Sequence, residues 1–342
     1  MPAKAGLQRS VIPLPELASN ARICSDLGST TSRKDANVRT HGYRNQRTIA
    51  RPASVHGIGF LTGADVHLRF VPAPVNTGAV FLRADLPGRP AIPARVTQVT
   101  GTARRTTIGH SGDRSCQVGL VEHVLAALAG LRIDNCIIEL NAPEPPGLDG
   151  SARGFVDALQ TAGAVLQNAE REVCLVEDSI VVRQKGATLA IHPLDELKVS
   201  YILNYAADTP MSPMSPIAPI CWQMHTQIVT PESFQNQLAS CRTFLLESEA
   251  IELRRQGLGS RTGPADLLVF GPRGPIDNTL RFANEPARHK CLDIIGDLAL
   301  LGHDVRGHIV AYRSGHPLNV ELVRTLSQRM SSTGELRHHK AA

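Results

Sequence analysis

The chain has 342 residues, 42% hydrophobic and 20% charged, an ordinary globular composition with room for two domains. No apolar run approaches the roughly 18 residues needed to span a bilayer. The formal net charge of +5 is local: residues 1–46 carry seven Lys/Arg against three Asp/Glu, while the rest carries 29 against 28. A near-neutral body excludes a phosphate-backbone surface, so no nucleic-acid partner is expected.

Residues 1–46 are rich in Ser, Arg, Asn and Thr and hold no continuous apolar segment, so a disordered extension is expected there. Folded sequence is expected from about Gln46. Arg47–Val55 and Ala64–Val71 alternate like strands and are joined by a glycine-rich hairpin at 56–63. Ala79–Arg83, Thr106–Ile108 and Cys136–Leu140 are further strands. Val118–Leu131 has helical apolar spacing, and a second helix spans Ser151–Ala162 before Gly163.

The second half repeats this plan. Strands are predicted at Glu172–Val182, Ala187–Pro193, Lys198–Asn204 and Cys221–Val229, with a Pro/Met/Ser-rich loop at Thr209–Pro219. Pro231–Leu238 starts a helix and Thr243–Gln256 forms another, stopped by Gly257. Leu267–Phe270 is a short strand. A helix around His289, a strand at Gly307–Arg313 and a final helix at Asn319–Met330 complete the chain. Strands followed by paired helices, twice over, predict an α+β fold of two similar domains, 47–170 and 171–331, with a site between them and a tail at 332–342.

The seven cysteines are widely spaced and contain no C-x-x-C pair. Buried free thiols in a reducing cytosol are expected, rather than a disulfide framework.

Polar groups stand out on two apolar helices. His289 and Asp293 are four apart and share one helical face, where an imidazole and a carboxylate can close on one metal ion. Asp297 lies one turn further along the stripe. Glu122 and His123 are adjacent, so the imidazole can bind a metal while the carboxylate faces the metal-bound water. His123, His289 and Asp293 together make a catalytic metal set with an open position. His316, in Ser314-Gly315-His316-Pro317, is read as an anchored loop histidine able to protonate a leaving amine, with Asp297 behind it. Two His and one carboxylate also describe a non-haem iron oxygenase, but the adjacent Glu122 base is not needed there. A degenerate, non-enzymatic homologue would lack at least one member of the set, and all are present.

Specific strings carry a family resemblance from about Gln46 to Met330. They include Arg69-Phe70-Val71-Pro72-Ala73-Pro74-Val75-Asn76-Thr77-Gly78, Val121-Glu122-His123, Leu148-Asp149-Gly150-Ser151-Ala152 and Arg242-Thr243-Phe244. Arg288-His289-Lys290 with Asp293, Ile295-Gly296-Asp297 and Ser314-Gly315-His316 follow in order. The chain resembles the UDP-3-O-acyl-N-acetylglucosamine deacetylases of lipid A biosynthesis, the LpxC family. The resemblance implies one Zn2+ per chain, with Fe2+ as a substitute, held by His123, His289 and Asp293. It implies Glu122 as general base, His316 as general acid backed by Asp297, and Thr243 as oxyanion donor. Lys290, Phe244 and Tyr205 would contact the substrate, UDP-3-O-(3-hydroxyacyl)-N-acetylglucosamine. The acyl chain would lie in an insert at about 244–275. A cytoplasmic monomer, touching a membrane surface at most transiently, is implied. Leu120, Leu61 and the run Ser260–Pro264 depart from the family pattern and bear on the shape of the acyl passage.

Overall fold

A computed structural model of the chain describes residues 38–340, apart from 111, 114, 206–219 and 221. The predicted loop at Thr209–Pro219 and residues 1–37 lie outside the described residues. In chain order the first elements are β1 (Val38–Ile49), β2 (Ala53–Ile58), β3 (Asp65–Pro72), β4 (Ala79–Arg83), β5 (Ala91–Pro93), β6 (Val99–Gly101), β7 (Thr107–Gly109) and β8 (Gln117–Val118). Then come α1 (Glu122–Gly130), β9 (Cys136–Leu140), α2 (Arg153–Ala162), β10 (Ala164–Val176), β11 (Ile180–Gln184), β12 (Ala187–His192), β13 (Leu197–Asn204) and β14 (Trp222–Ile228). The chain continues with α3 (Pro231–Ser233) and a π-helical turn to Leu238, β15 (Phe244–Leu246), α4 (Glu247–Arg255), β16 (Leu268–Gly271) and β17 (Gly274–Pro275). It closes with α5 (Glu285–Leu298), β18 (Asp304–Tyr312) and α6 (His316–Lys340). The mixture is α+β, as the sequence predicted.

Alternation places the sheets. In β3 every second residue, Val66, Leu68 and Phe70, is buried, and this face packs under α2 through an edge-to-face Phe70–Phe155 contact. The first half forms a five-stranded sheet in the order β2-β3-β9-β4-β5 and a small β6-β7-β8 sheet. The glycine hairpin does join β2 to β3, antiparallel, with Ile58 opposite Asp65. The seven-stranded sheet around β18 takes β10–β14 from the second half and β1 from the start of the first. Along one edge β18 pairs with β10 and then β12, and it also runs parallel to β13.

Several expected boundaries move. The described fold already includes Val38, eight residues before the expected start, because β1 pairs antiparallel with β10 from Val38–Val176 to Ile49–Ala164. Backbone pairing holds this segment, so its side chains carry little apolar signal. The expected boundary at 170/171 falls inside β10. The strand predicted at Glu172–Val182 is two strands. Thr243–Gln256 is not one helix. Phe244–Leu246 pairs parallel with Leu268–Phe270, and helix α4 starts only at Glu247, with Glu249 accepting the Leu246 N–H at 2.9 Å. A short apolar run of this kind fits either period, and the available strand partner decides it. The last helix starts at His316 and continues to Lys340, so 332–340 is helical rather than a tail.

Cys116, Cys136, Cys174, Cys241 and Cys291 are free and buried, and burial pushes the Cys136, Cys174 and Cys241 thiols up to about 12. Cys24 and Cys221 lie outside the described residues.

Candidate active site

Helices α1 and α5 touch where the site forms. A Cβ on Gly296 would lie 2.1 Å from the Glu122 carbonyl oxygen, so only glycine lets the helices approach this closely. The approach brings the start of α1, with Glu122 and His123, against the first three turns of α5, with His289 and Asp293. Leu120 precedes α1 at φ 55, a left-handed turn that aims Glu122 and His123 inward.

All members are buried. Ligating atoms of His123, His289 and Asp293 lie within 4.8 Å of one another. His289 Nδ1–H donates to the Cys241 carbonyl at 3.0 Å, which leaves the Nε2 lone pair facing Asp293 Oδ1 at 3.2 Å. His123 Nε2 lies 3.8 Å from the same oxygen. Burial, with the His289 charge adding to it, lowers the His123 imidazole to about 3, so it is neutral. The other oxygen of Asp293 accepts from Lys290 Nζ at 2.8 Å. Burial resists ionisation of Asp293, but His289 and Lys290 outweigh it and hold the carboxylate well below its usual range. Its Oδ1 is buried with no hydrogen-bond partner. A buried carboxylate oxygen without a hydrogen-bond partner, set between two imidazoles, is costly by itself, and it fits a divalent cation with a further position open.

A second polar chain runs beside this set. Glu122 Oε2 accepts the Thr106 N–H at 3.1 Å, and Thr106 Oγ1 donates to Asp297 Oδ1 at 2.5 Å. Asp297 Oδ2 accepts from His316 Nδ1 at 2.8 Å and Asn319 Nδ2 at 2.9 Å. His316 Nε2 points toward Glu122 Oε1, 3.7 Å away. Burial opposes the His316 charge, but Asp297 and Glu122 outweigh it and raise the group to about 9. Burial lifts Glu122 to about 7; Asp297 and Asp293 add to this and His316 opposes it. A carboxyl raised to about 7 and an imidazole raised to about 9 thus face one another beside His123, His289 and Asp293. His316 is the first residue of α6 rather than a loop residue, held at the helix start by the Gly315 carbonyl, which accepts from Leu318 and Asn319.

Thr106 and Asn319 carry no role in the sequence reading, although they fix both carboxylates. Thr106 had no visible signal, because its partners are distant in sequence: Glu122 sixteen residues on, and Asp297 in α5.

Phe244 packs edge-on to His289, Tyr205 and Phe270, and Lys290 Nζ sits 5.7 Å over its ring. Thr243 is fixed through its backbone, its N–H donating to Gly150 at 2.7 Å and its carbonyl accepting from Leu268 at 3.0 Å. Its side chain lines a cavity of about 310 Å³ with Leu61, Leu120, Ile251, Pro264 and Val269. The insert reaches this cavity by gripping the β2–β3 hairpin: Gly259 donates to Leu61, Thr262 Oγ1 to Phe60, and Arg261 to Gly63 and Asp65. The three departures noted in the sequence converge on this one passage.

Similarity to known proteins agrees with this geometry. Residues 46–328 match the family model described as LpxC: UDP-3-O-acyl N-acetylglycosamine deacetylase. The chain is 37% identical over 283 residues to the UDP-3-O-acyl-N-acetylglucosamine deacetylase of Nostoc sp., covering 82% of this chain and 98% of the relative. It is 39% identical over 284 residues to the enzyme of the same name from Chlamydia abortus, with 83% and 97% covered. It is also 37% identical over 330 residues to the bifunctional enzyme LpxC/FabZ of Chlorobaculum tepidum, covering 87% of this chain and 68% of that longer protein. With a buried His-His-Asp set beside a paired carboxylate and imidazole, and a match over most of its length, the chain belongs to the LpxC family of UDP-3-O-acyl-N-acetylglycosamine deacetylases.

Proposed function

We infer that this chain hydrolyses the N-acetyl group of UDP-3-O-(3-hydroxyacyl)-N-acetylglucosamine, giving acetate and the free 2-amine, the committed step of lipid A biosynthesis in the family it belongs to. The Asp293 Oδ1 that is buried without a hydrogen-bond partner between His123 and His289, beside the facing Glu122 and His316, carries this reading. His123, His289 and Asp293 would hold Zn2+, for which Fe2+ can substitute. A cation there supplies a lowered water pKa and a polarised carbonyl.

The remaining chemistry belongs to the side chains. Glu122 takes the proton of the attacking water as oxygen adds to the acetamide carbon. The Thr106 N–H holds Glu122 Oε2, which leaves Oε1 directed into the site. His316, kept cationic by Asp297, gives its Nε2 proton to the amine nitrogen as the C–N bond breaks. Thr243 donates to the developing oxyanion. Lys290, Phe244 and Tyr205 contact the sugar nucleotide, and the passage beyond Thr243 takes the acyl chain. The site would lie between two halves, one built on the five-stranded sheet and one on the β18 sheet. No described helix is long and apolar enough to cross a membrane; the buried free thiols support a cytoplasmic enzyme, acting as a monomer.

The test is acetate release from UDP-3-O-acyl-N-acetylglucosamine with a series of acyl lengths, with and without a zinc chelator. Glu122→Ala is expected to keep the metal and lose turnover by roughly 10²–10⁴. Turnover unchanged in that variant, or unaffected by the chelator, would remove the assignment.

A further inference from the structure

A second cavity, of about 340 Å³, opens at the opposite ends of the helices that carry the metal set. Leu125 and Leu128 of α1, Ile133 just beyond α1 and Leu298 of α5 form an apolar strip of its wall, and Arg95 and Arg171 line it too.

Most charges here cancel. Arg44 and Arg171 share the carboxylates of Asp134 and Asp304 at 2.7–3.2 Å, two cations against two anions. Three other cations on this wall, Arg132, Arg306 and Arg95, have no ion pair among the described residues, and Arg95 is the one seated in a slot. Its guanidinium makes no side-chain hydrogen bond or ion pair among the described residues, and the nearest charge acting on it is the like charge of Arg171. Burial and that repulsion lower its pKa. The group is also seated rather than loose. A Cβ on Gly302 would lie 1.7 Å from Arg95 Nη1, and one on Gly78 3.1 Å from Nη2. Both glycines have positive φ, 76° and 73°, so two turns that favour glycine form the slot in which the guanidinium lies. The C-terminal ends of α1 and α5 contribute a favourable field, but no hydrogen bond to any of its five N–H donors. Asp195 and Glu196, also on the cavity wall, are exposed and form no ion pair with Arg95.

We propose that this cavity is a binding site for a small amphiphilic carboxylate, whose head group pairs with the Arg95 fork and whose short apolar tail lies on Leu125, Leu128 and Leu298. A planar guanidinium matches a carboxylate in two parallel hydrogen bonds, and a half-buried cation without a partner gains from acquiring one. The leucines form an apolar strip on a partly polar wall, and a short tail would use that strip where a bare inorganic anion would not. The site is separate from the catalytic one, and its occupation does not depend on the reaction assigned above.

The experiment titrates hexanoate, acetate and inorganic phosphate into the full chain at constant ionic strength, by calorimetry and by melting temperature, for wild type and Arg95→Met. Hexanoate is expected to bind wild type and raise its melting temperature, more strongly than acetate and unlike phosphate. Arg95→Met should weaken binding about 10- to 100-fold, the range for a lost charged hydrogen bond. Its own melting temperature should not fall, because an unpaired cation has been removed. Absence of hexanoate binding by the wild type overturns the proposal whatever the variant does. Equal binding by Arg95→Met places hexanoate elsewhere, for instance in the acyl passage, and overturns it too. Phosphate binding as strong as hexanoate would overturn the amphiphile. If Arg95→Met fails to fold, Arg95→Lys, which keeps the charge and loses the fork, should show the weakening; unchanged binding there also overturns the proposal.

Discussion

Two buried charge clusters lie at opposite ends of α1 and α5, and they are built to different rules. In the Arg44–Arg171–Asp134–Asp304 cluster every carboxylate oxygen is occupied. Asp134 takes Arg44 at 2.7 Å on both oxygens and the Arg47 N–H at 2.7 Å; Asp304 takes Arg44, Arg171 and the Tyr43 hydroxyl. In the His123–His289–Asp293 cluster one oxygen of Asp293 accepts from Lys290, and the other faces two imidazoles without a hydrogen bond. Each cluster holds a buried carboxylate, Asp134 in one and Asp293 in the other, so burial of the carboxylate does not separate them. Satisfaction does: Asp134 is paired on both oxygens, and Asp293 keeps one oxygen without a hydrogen-bond partner, a position suited to a cation.

Breaking each cluster should therefore cost a different quantity. Asp134→Ala leaves two arginines under-paired and should lose about 3–5 kcal/mol of stability, with activity per folded molecule retained; denaturant unfolding and active-fraction assays measure both. Asp293→Ala should do the reverse, with bound metal and turnover lost and apo stability little changed, as read by metal analysis and the same unfolding curves. A large apo destabilisation in Asp293→Ala would erase the contrast.

Gly296→Ala sharpens the contrast between the helix ends. Its methyl meets backbone at Glu122, so the helices must part, at a cost of about 1–3 kcal/mol. Metal affinity should fall with it, while the arginine cluster at the far end is undisturbed. Thr106→Val keeps the backbone N–H and removes the hydroxyl bridge to Asp297. A loss of about tenfold in kcat with unchanged KM and metal content is expected, and Thr106→Ser should restore it.

The smallest effect is in pH. Burial works against the Asp304 charge, but Arg171 and Arg44 outweigh it and lower its pKa. Its stabilising contribution is therefore complete above the unfolded value of about 3.9 and is lost as pH falls through the lower folded value. Acid unfolding of wild type and Asp304→Asn should converge below that range; curves that stay parallel would remove Asp304 from the account.

Much of this was legible before folding. The period-two strands β3, β4 and β9 and the amphipathic α2 fell where alternation and helical spacing put them, because those patterns are set by local geometry. That His123, His289 and Asp293 could close on one ion was expected from polar residues on the apolar α5, and the fold brings their ligating atoms within 4.8 Å. Phe244–Leu246 was misread, because three apolar residues have no period and β16 chose their state. The start of β1 was hidden for a related reason: strand pairing there uses backbone groups that every sequence shares.

By itself, then, the sequence determined which residues could ligate, donate or accept, and on which helical face they stand, for chemistry and local period are written in residue type and spacing. Tertiary structure alone decided that α1 and α5 meet at Gly296, that Thr106 bridges the acid and the base, and that Arg95 is left without a counter-charge. Each of these is a long-range contact, and no local spacing encodes which distant group fills or leaves open a buried polar position.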